Sequence, residues 1–337
     1  MKSKLLALGV AAACPLVALA QSTVTLYGIA DIAVAVEDTG ATGSSKRVVL
    51  NSGNQSSSRL GFRGIEDLGG GLKALFNLEA GVGLDTGATD AVFFGRRSVV
   101  GLEGPFGSLL LGREYSPIAG VAAATDILGQ GFFGSNLSAF AANGLTRRVS
   151  NSVNYRTPSL GGLKASMMYG LGEQVTGPSL DLAGVALEYA NGPLYLGAGY
   201  HVIERVAAGD DKEYVLGAGY KVGAFDIKAN YLAADPAGSN NKFTQANLGA
   251  SVAAGRGRVY ANIQQSKLDT GAKGNGFVVA YSYPLSKRTN LYASYAALRN
   301  NSTGRFGLNS SSTSITPAAT AAGSDPSVLA VGLRHSF

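Results

Sequence analysis

Several residue types are scarce in this chain, and each scarcity excludes a class of protein. Tryptophan is absent from the 337 residues, and cysteine occurs once, at Cys14. Charged residues make up 15 % of the chain, well below the roughly 25 % of an average soluble protein. Beyond the first twenty residues no stretch has the roughly 18 apolar residues of a transmembrane helix, since the nearest candidate, 127–146, holds four glycines. The composition excludes a disulfide-stapled domain and a bundle of membrane helices.

The first twenty residues predict export from the cytoplasm. Two lysines precede an apolar stretch at 5–17, and three small or apolar residues, 18–20, form a cleavage site. We therefore expect residues 1–20 to be a secretory signal peptide that is cleaved after Ala20. Its removal takes away Cys14 and lowers the formal net charge from +6 to +4, an excess too small to indicate nucleic-acid binding.

The rest of the chain alternates between strand-like segments of about ten residues and turns. In residues 72–81, apolar side chains alternate with polar ones such as Lys73 and Glu79, and residues 226–233 and 258–266 repeat the pattern. Successive side chains of a strand point to opposite faces. Each segment therefore has one apolar and one polar face, as do the strands of a transmembrane barrel.

Short and long connections alternate between these segments. Sixteen segments are separated by seven turn-like connections and eight longer polar ones, which is typical of an antiparallel barrel that closes on itself. A β-sandwich, the alternative, has shorter strands and does not confine its tight turns to one end. We predict an all-β fold, a 16-stranded antiparallel transmembrane β-barrel, in one domain at 21–337. Its long loops are expected at 37–56, 82–92, 114–147, 172–182, 204–211, 234–242, 267–274 and 298–325.

Several long motifs give the mature chain a resemblance to a known family. It resembles the general porins of Gram-negative β-proteobacteria in its terminal strand LAVGLRHSF, which ends at Phe337, and in four earlier stretches: TLYGIADIAV, SRLGFRGIEDLGGGLKALFNLEAG, FGRRSVVGLEGPFGSLLLGREYSP and RRVSNSVNYRTP. The resemblance implies a homotrimeric outer-membrane channel for small hydrophilic solutes, in contact with lipid and lipopolysaccharide. It implies short periplasmic turns, long extracellular loops, a third loop (114–147) folded into the lumen, and recognition of Phe337 by the outer-membrane assembly machinery.

Arginines on the predicted inward faces form the candidate site. The resemblance places the arginine of the motif FGR, Arg96, at the narrowest part of the lumen, and Arg97 would then point outward, toward a neighbouring protomer. By alternation Arg59 shares a face with Arg63, and Arg148 begins a polar face. We predict a basic wall at the constriction, moderate anion selectivity, and acids of the third loop opposite the wall. The wall comprises Arg59, Arg96 and Arg148, with Arg63 and Lys73 nearby, and the acids are Glu114 and Asp126.

Two other functions stay open at this point. An outer-membrane enzyme would need a base within reach of a nucleophile, but His335 lies on an apolar face, and we interpret His201 as an ordinary rim residue beside a loop. A surface adhesin would use the loop at 298–325, which is rich in serine and threonine. No cluster has the spacing of a transition-metal site, so we expect no cofactor; a loop-bound calcium ion would use Asp210 and Asp211.

Overall fold

The described part of the chain folds into β-structure with two short helices. The computed structural model describes residues 23–44, 46–141, 144–205, 209–238 and 242–337, so the predicted signal peptide lies outside the described residues. No helix of the described part is long and apolar enough to cross a membrane. The elements are β1 Thr23–Asp38, β2 Arg47–Ser52, β3 Arg59–Gly69, β4 Leu72–Gly81, β5 Arg97–Gly104, β6 Gly107–Tyr115, α1 Pro117–Ala124, α2 Ser138–Ala141, β7 Arg148–Arg156, β8 Leu163–Gly170, β9 Leu182–Asn191, β10 Leu194–Ile203, β11 Asp211–Val222, β12 Phe225–Asp235, β13 Phe243–Ala254, β14 Gly257–Leu268, β15 Lys273–Pro284, β16 Thr289–Asn300, β17 Leu308–Asn309, β18 Ser314–Ile315 and β19 Ser327–Ser336.

The strands form one closed antiparallel barrel. Neighbours in the chain pair with each other, and β1 pairs with β19 from Ile29 opposite Ser336 to Asp38 opposite Ser327, which closes the ring. Both β2 and β3 pair with β1, so they are two halves of one barrel strand interrupted at residues 53–58. With β17 and β18 forming a separate hairpin, the barrel has sixteen strands. The predicted fold class is confirmed.

The alternation of apolar and polar side chains matches the two faces of the barrel wall. On β1 the outward Val34 is 52 % exposed, whereas the inward Ala33 and Ala35 are at most 2 % exposed. Leu216 and Ile263, each 59 % exposed, face outward in the same way on β11 and β14. A closed barrel pairs every backbone group of its strands, which lets it carry an apolar outer face through lipid.

Two local predictions are wrong, those for residues 37–56 and for His201, and the predicted loop at 298–325 contains a hairpin that the pattern does not show. The loop predicted at 37–56 contains the six-residue strand β2, which was too short to stand out in the pattern. The loop predicted at 298–325 is not wholly exposed, because its hairpin β17–β18 folds inward and leaves Leu308 and Ile315 at most 1 % exposed. His201, predicted at the rim, is completely buried on the inward face of β10.

The described residues of the third long connection, 116–141 and 144–146, fold into the barrel and are called the inward loop below. Its helix α1 begins after Ser116, whose side chain accepts a hydrogen bond from the backbone N–H of Ala119. The loop packs against the wall from β8 to β16. A Cβ atom on Gly199 of β10 would lie 3.0 Å from Ile118, and one on Gly249 of β13 would lie 2.2 Å from Ile127, so glycine permits this close approach. The remaining space lies toward β3–β7.

Candidate channel constriction

Glu79 organises two arginines on the wall opposite the inward loop. It lies on the inward face of β4, and its carboxylate is 2.7 Å from Nε of Arg96 and 3.5 Å from Nη1 of Arg59. It also accepts a hydrogen bond of 3.1 Å from the hydroxyl of Tyr27. Arg96 is only 5 % exposed, and a charge at such a site is stable when it is paired. Glu79 therefore fixes Arg59 and Arg96 side by side.

Arg97 also faces the lumen, and the prediction that it points outward is wrong. Arg97 pairs directly with Glu79 across β4 and β5, and directly opposed residues share a face of the sheet. Its guanidinium forms an ion pair with Glu114. Simple alternation failed here because β5 begins at Arg97, while Arg96 lies in a bend before the strand.

Tyr115, at the end of β6, links two further arginines, Arg147 and Arg148, to the cluster. Its hydroxyl accepts hydrogen bonds from Arg96 (3.2 Å) and Arg148 (2.7 Å). The guanidiniums of Arg148 and Arg147 lie 4.5 Å and 5.7 Å from the centre of its ring, within the range of cation–π attraction. The phenol of Tyr115 accepts hydrogen bonds from two arginines and presents its ring to two. It thereby reduces the electrostatic repulsion among the positive guanidiniums.

Arg147 was not predicted, although it stands beside Arg148 in the sequence. It follows the inward loop directly and donates a hydrogen bond of 3.1 Å to the side chain of Gln130. Burial and the neighbouring Arg148 lower the pKa of Arg147 to about 10, so the side chain stays positively charged at neutral pH. The adjacent pair of arginines at the end of a long loop was the signal that could have found it.

A cavity of about 380 Å³ separates the arginines from the inward loop. Alanine and glycine residues of the loop form one side, and no acidic residue is among the lining residues that the structure describes. The walls of the cavity are therefore basic on one side and uncharged on the other. The lining residues are Ser56, Ser57, Arg59, Arg96, Tyr115, Ala119, Gly120, Ala123, Gly129, Gln130, Arg147 and Ser311.

The prediction that Glu114 and Asp126 face the arginines from the third loop is wrong. Glu114 belongs to β6, on the same wall as its partner Arg97, and is 2 % exposed. Asp126 is 3 % exposed, and its carboxylate accepts hydrogen bonds from three backbone N–H groups of its own loop, those of Leu128, Gln130 and Asn136. Burial nevertheless raises the pKa of Asp126. Glu114 thus neutralises part of the positive charge of the arginine wall, and Asp126 stabilises the fold of its own loop.

Arg63 and Lys73 lie on the same wall but away from the cluster. Arg63 is four residues beyond Arg59 on β3, about 13 Å along the strand, and its guanidinium lies 5.3 Å from the ring centre of Tyr27. Lys73 is six residues from Glu79 on β4, about 20 Å away, next to the short turn between β3 and β4. The structure thus brings together Arg59, Arg96 and Arg148 and leaves Lys73 near the other end of the lumen.

Comparison with known proteins agrees with this architecture. A family model described as Gram-negative porin matches residues 7–303. Outer membrane porin protein 32 of Delftia acidovorans is 35 % identical over 357 aligned residues, which cover 100 % of both chains. The solved structure of an anion-selective porin from Comamonas acidovorans superposes with a TM-score of 0.84 at 32 % identity, over 94 % of this chain and 100 % of that one.

A more distant structure shares the fold. The trimer form of OmpT from Vibrio cholerae superposes with a TM-score of 0.66 at 16 % identity, over 94 % of this chain and 99 % of that one. The sixteen-stranded closed barrel, the apolar outer face and the full-length relatives lead to one assignment, which confirms the resemblance seen in the motifs. The chain belongs to the Gram-negative porin family and is an outer-membrane diffusion channel.

Proposed function

We propose that this porin prefers small anions, and that the arginine cluster at the inward loop sets the preference. The cluster holds five guanidiniums and two carboxylates, a net charge of +3: Arg59, Arg96, Arg97, Arg147 and Arg148 against Glu79 and Glu114. The observation that carries the proposal is the cavity beside them, whose described lining contains three of these arginines, Arg59, Arg96 and Arg147, but no acid. The Comamonas relative bears the name of an anion-selective porin.

Coulomb's law gives the size of the effect. An anion about 10 Å from three unit charges in water is favoured by about 1.2 kcal/mol, which raises its local concentration several-fold. Low-dielectric walls strengthen the field, and salt weakens it, because the Debye length falls from about 8 Å at physiological ionic strength to about 3 Å at 1 M. The preference is therefore moderate and depends on salt.

The test is the reversal potential of the purified protein in a planar bilayer under a potassium chloride gradient. We expect the sign of anion selectivity at 0.1 M salt. Replacing Arg59, Arg96 and Arg148 with alanine leaves two guanidiniums against two carboxylates, so selectivity should nearly vanish. The control is Arg256→Ala, because Arg256 stacks on Tyr283 beside a short turn and should keep the original potential. An unchanged potential in the triple variant would refute the proposal.

The assembly and processing of the chain form part of the same proposal. We expect a homotrimer, which inserts into a planar bilayer in conductance steps of three. We expect outer-membrane lipid and lipopolysaccharide to surround the trimer, and each chain to be cleaved after Ala20. The proposed signal for the assembly machinery, Phe337, exchanges two backbone hydrogen bonds of 3.1 Å with Gly28. Recognition would then have to occur before these bonds form.

We further propose that the protein has no catalytic role, in keeping with a family of channels. The ring nitrogens of His201 contact Glu213 and the backbone of Ile118, so this histidine faces no nucleophile. The adhesin alternative is weakened because the hairpin β17–β18 packs inside the barrel mouth. Loop-bound calcium stays a prediction: the described residues contain no cluster of three acidic, histidine or cysteine ligands, and Asp211 already accepts from Arg205.

A further inference from the structure

Three cations lie together on the outer face of the barrel, at the end that carries the long loops. Lys267 on β14 and Lys273 on β15 are directly opposed in the sheet. Arg299 on β16 pairs with the residue two positions after Lys273, so it is a diagonal neighbour of that lysine. All three point outward, because each is four residues from an outward apolar side chain of its own strand. Those apolar residues are Ile263, Phe277 and Tyr295. We call Lys267, Lys273 and Arg299 the outer cation patch.

The outer cation patch lacks an acidic partner. Among the residues that the structure describes, no acid forms an ion pair with the patch, and this includes Asp269 in the turn after β14. The outward lysines of neighbouring strands differ, since Lys212 lies directly opposite Asp235 and Lys242 is 3.3 Å from the same carboxylate. Like charges that are directly opposed destabilise a sheet. The opposed lysines of the patch therefore point to a ligand that brings negative charge.

The patch lies where the apolar outer face of the barrel becomes polar. Next to it, Gln265 and Asn275 are directly opposed, and the first donates a hydrogen bond of 2.7 Å to the second. One step further, the opposed outward residues are Ile263 and Phe277, which are 59 % and 46 % exposed. The outer face thus changes from apolar to amide to cationic side chains within about 13 Å of strand. Such a border lies at the level of the lipid headgroups, here those of the outer leaflet.

An apolar furrow of about 390 Å³ lies in the outer face below the patch. Its floor is low because Ala250 and Ala261 are directly opposed on β13 and β14. Its sides are formed by Leu248, Ile263 and Phe277, each about half exposed. Ala261 is six residues from the patch along β14, about 20 Å. A hydrocarbon chain that lies in the furrow can therefore carry a headgroup at the patch.

We propose that the outer cation patch and the furrow bind the phosphorylated lipid of the outer leaflet, the lipid A part of lipopolysaccharide. The two phosphoryl groups of its sugar headgroup supply the negative charge that the patch lacks, and one of its acyl chains fills the furrow. Lysine and arginine both bind phosphate oxygens, the first as a point charge and the second through its planar fork. The proposal rests on the proposed lipopolysaccharide environment and names a site for it on this chain.

A second copy of this chain fits the patch less well. The buried centre of a subunit contact is depleted of charged residues, and three cations without acidic partners would lose their hydration there. A lipid headgroup leaves the same cations in contact with water and supplies phosphates to them. Charge complementarity therefore favours the lipid.

The test measures the affinity of bisphosphorylated lipid A for the purified protein in a non-ionic detergent at 0.1 M salt. A lysine or arginine near an anionic headgroup strengthens binding about fivefold. Glutamine at all three patch positions should therefore weaken binding at least tenfold, and removal of both phosphates from the lipid should weaken binding to the original protein to a similar degree. A matched control removes the same charge elsewhere and should bind within twofold of the original protein. The control replaces Lys212, Lys242 and Arg256 with glutamine.

A second variant tests the furrow without a change of charge. Ala261→Phe places a ring where the acyl chain should lie, so the affinity for lipid A should fall at least threefold. The reversal potential of the glutamine variant should keep its original value, because the patch lies outside the lumen; failure of this proposal would therefore leave the anion preference standing.

Three results would overturn the proposal. The first is a glutamine variant that binds lipid A as tightly as the matched control does. The second is an original protein that binds the phosphate-free lipid equally well. The third is unchanged affinity in Ala261→Phe, which would remove the furrow from the site. Loss of the trimer in the glutamine variant with unchanged lipid affinity would assign the patch to a subunit contact instead.

Discussion

Replacing Glu79 with glutamine should make the channel more selective for anions while it weakens the barrel. Glu79 is the carboxylate between Arg59 and Arg96 and lies directly opposite Arg97. Glutamine has nearly the same shape and keeps one oxygen that can accept from Arg96. The substitution therefore changes the charge of the cluster from +3 to +4 with little change in geometry.

The expected magnitude follows from that single charge. One additional unit of charge about 10 Å from a permeating ion is worth about 0.4 kcal/mol in water, a factor of about two in local anion concentration. Stability should fall as well, since removing one partner of a buried ion pair costs about 3–5 kcal/mol. The hydrogen bond that glutamine retains with Arg96 brings the loss toward the lower end of that range.

The assay compares reversal potentials at low and high salt, together with the temperature at which the barrel unfolds in detergent. The anion-to-cation permeability ratio of Glu79→Gln should rise at least twofold at 0.1 M salt and return to the original value at 1 M, where screening is strong. Glu103→Gln is the matched control, because Glu103 lies opposite Lys73 near the short turns and should change the ratio less. A ratio that stays constant, or falls, in Glu79→Gln would show that the cluster does not set selectivity.

Two further predictions test the corrected roles of loop residues. Replacing the hairpin residues 308–315 with a short glycine-serine linker should increase single-channel conductance, because the hairpin packs inside the barrel mouth and Ser311 lines the central cavity; an unchanged conductance would mean that the hairpin does not obstruct the path. Asp126→Asn should leave the reversal potential unchanged, because the carboxylate is directed into its own loop; a clear shift toward anions would instead return Asp126 to the pore lining.

The strands could be predicted because their pattern repeats with a period of two over many residues. Residues 72–81 show the alternation plainly, and each such segment is bounded by a glycine-rich turn or a polar loop. The antiparallel order then follows from the connection lengths. The strand β2 was missed because it has six residues and its barrel strand is interrupted at 53–58.

The site residues were predicted in two ways, from alternation along a strand and from the motif FGR, which identified Arg96 although it lies in a bend before β5. Arg59 and Arg148 begin β3 and β7 and were identified from alternation. Arg97 was placed on the wrong face because a bend before β5 breaks the alternation. The surroundings of Asp126 and His201 depend on how the inward loop folds inside the barrel, which is decided by contacts with strands more than 80 residues away.

The pairing of β1 with β19 has a consequence for the order of assembly. Ile29 and Ser336 are about 300 residues apart in the chain, and contacts of such long range form late because the intervening chain must first be ordered. Until they form, β1 and β19 each present an unpaired edge, which an aqueous compartment tolerates poorly and a lipid phase does not tolerate. An unclosed sheet of this protein therefore has no stable environment of its own, and insertion must either coincide with closure or take place beside a partner that covers both edges.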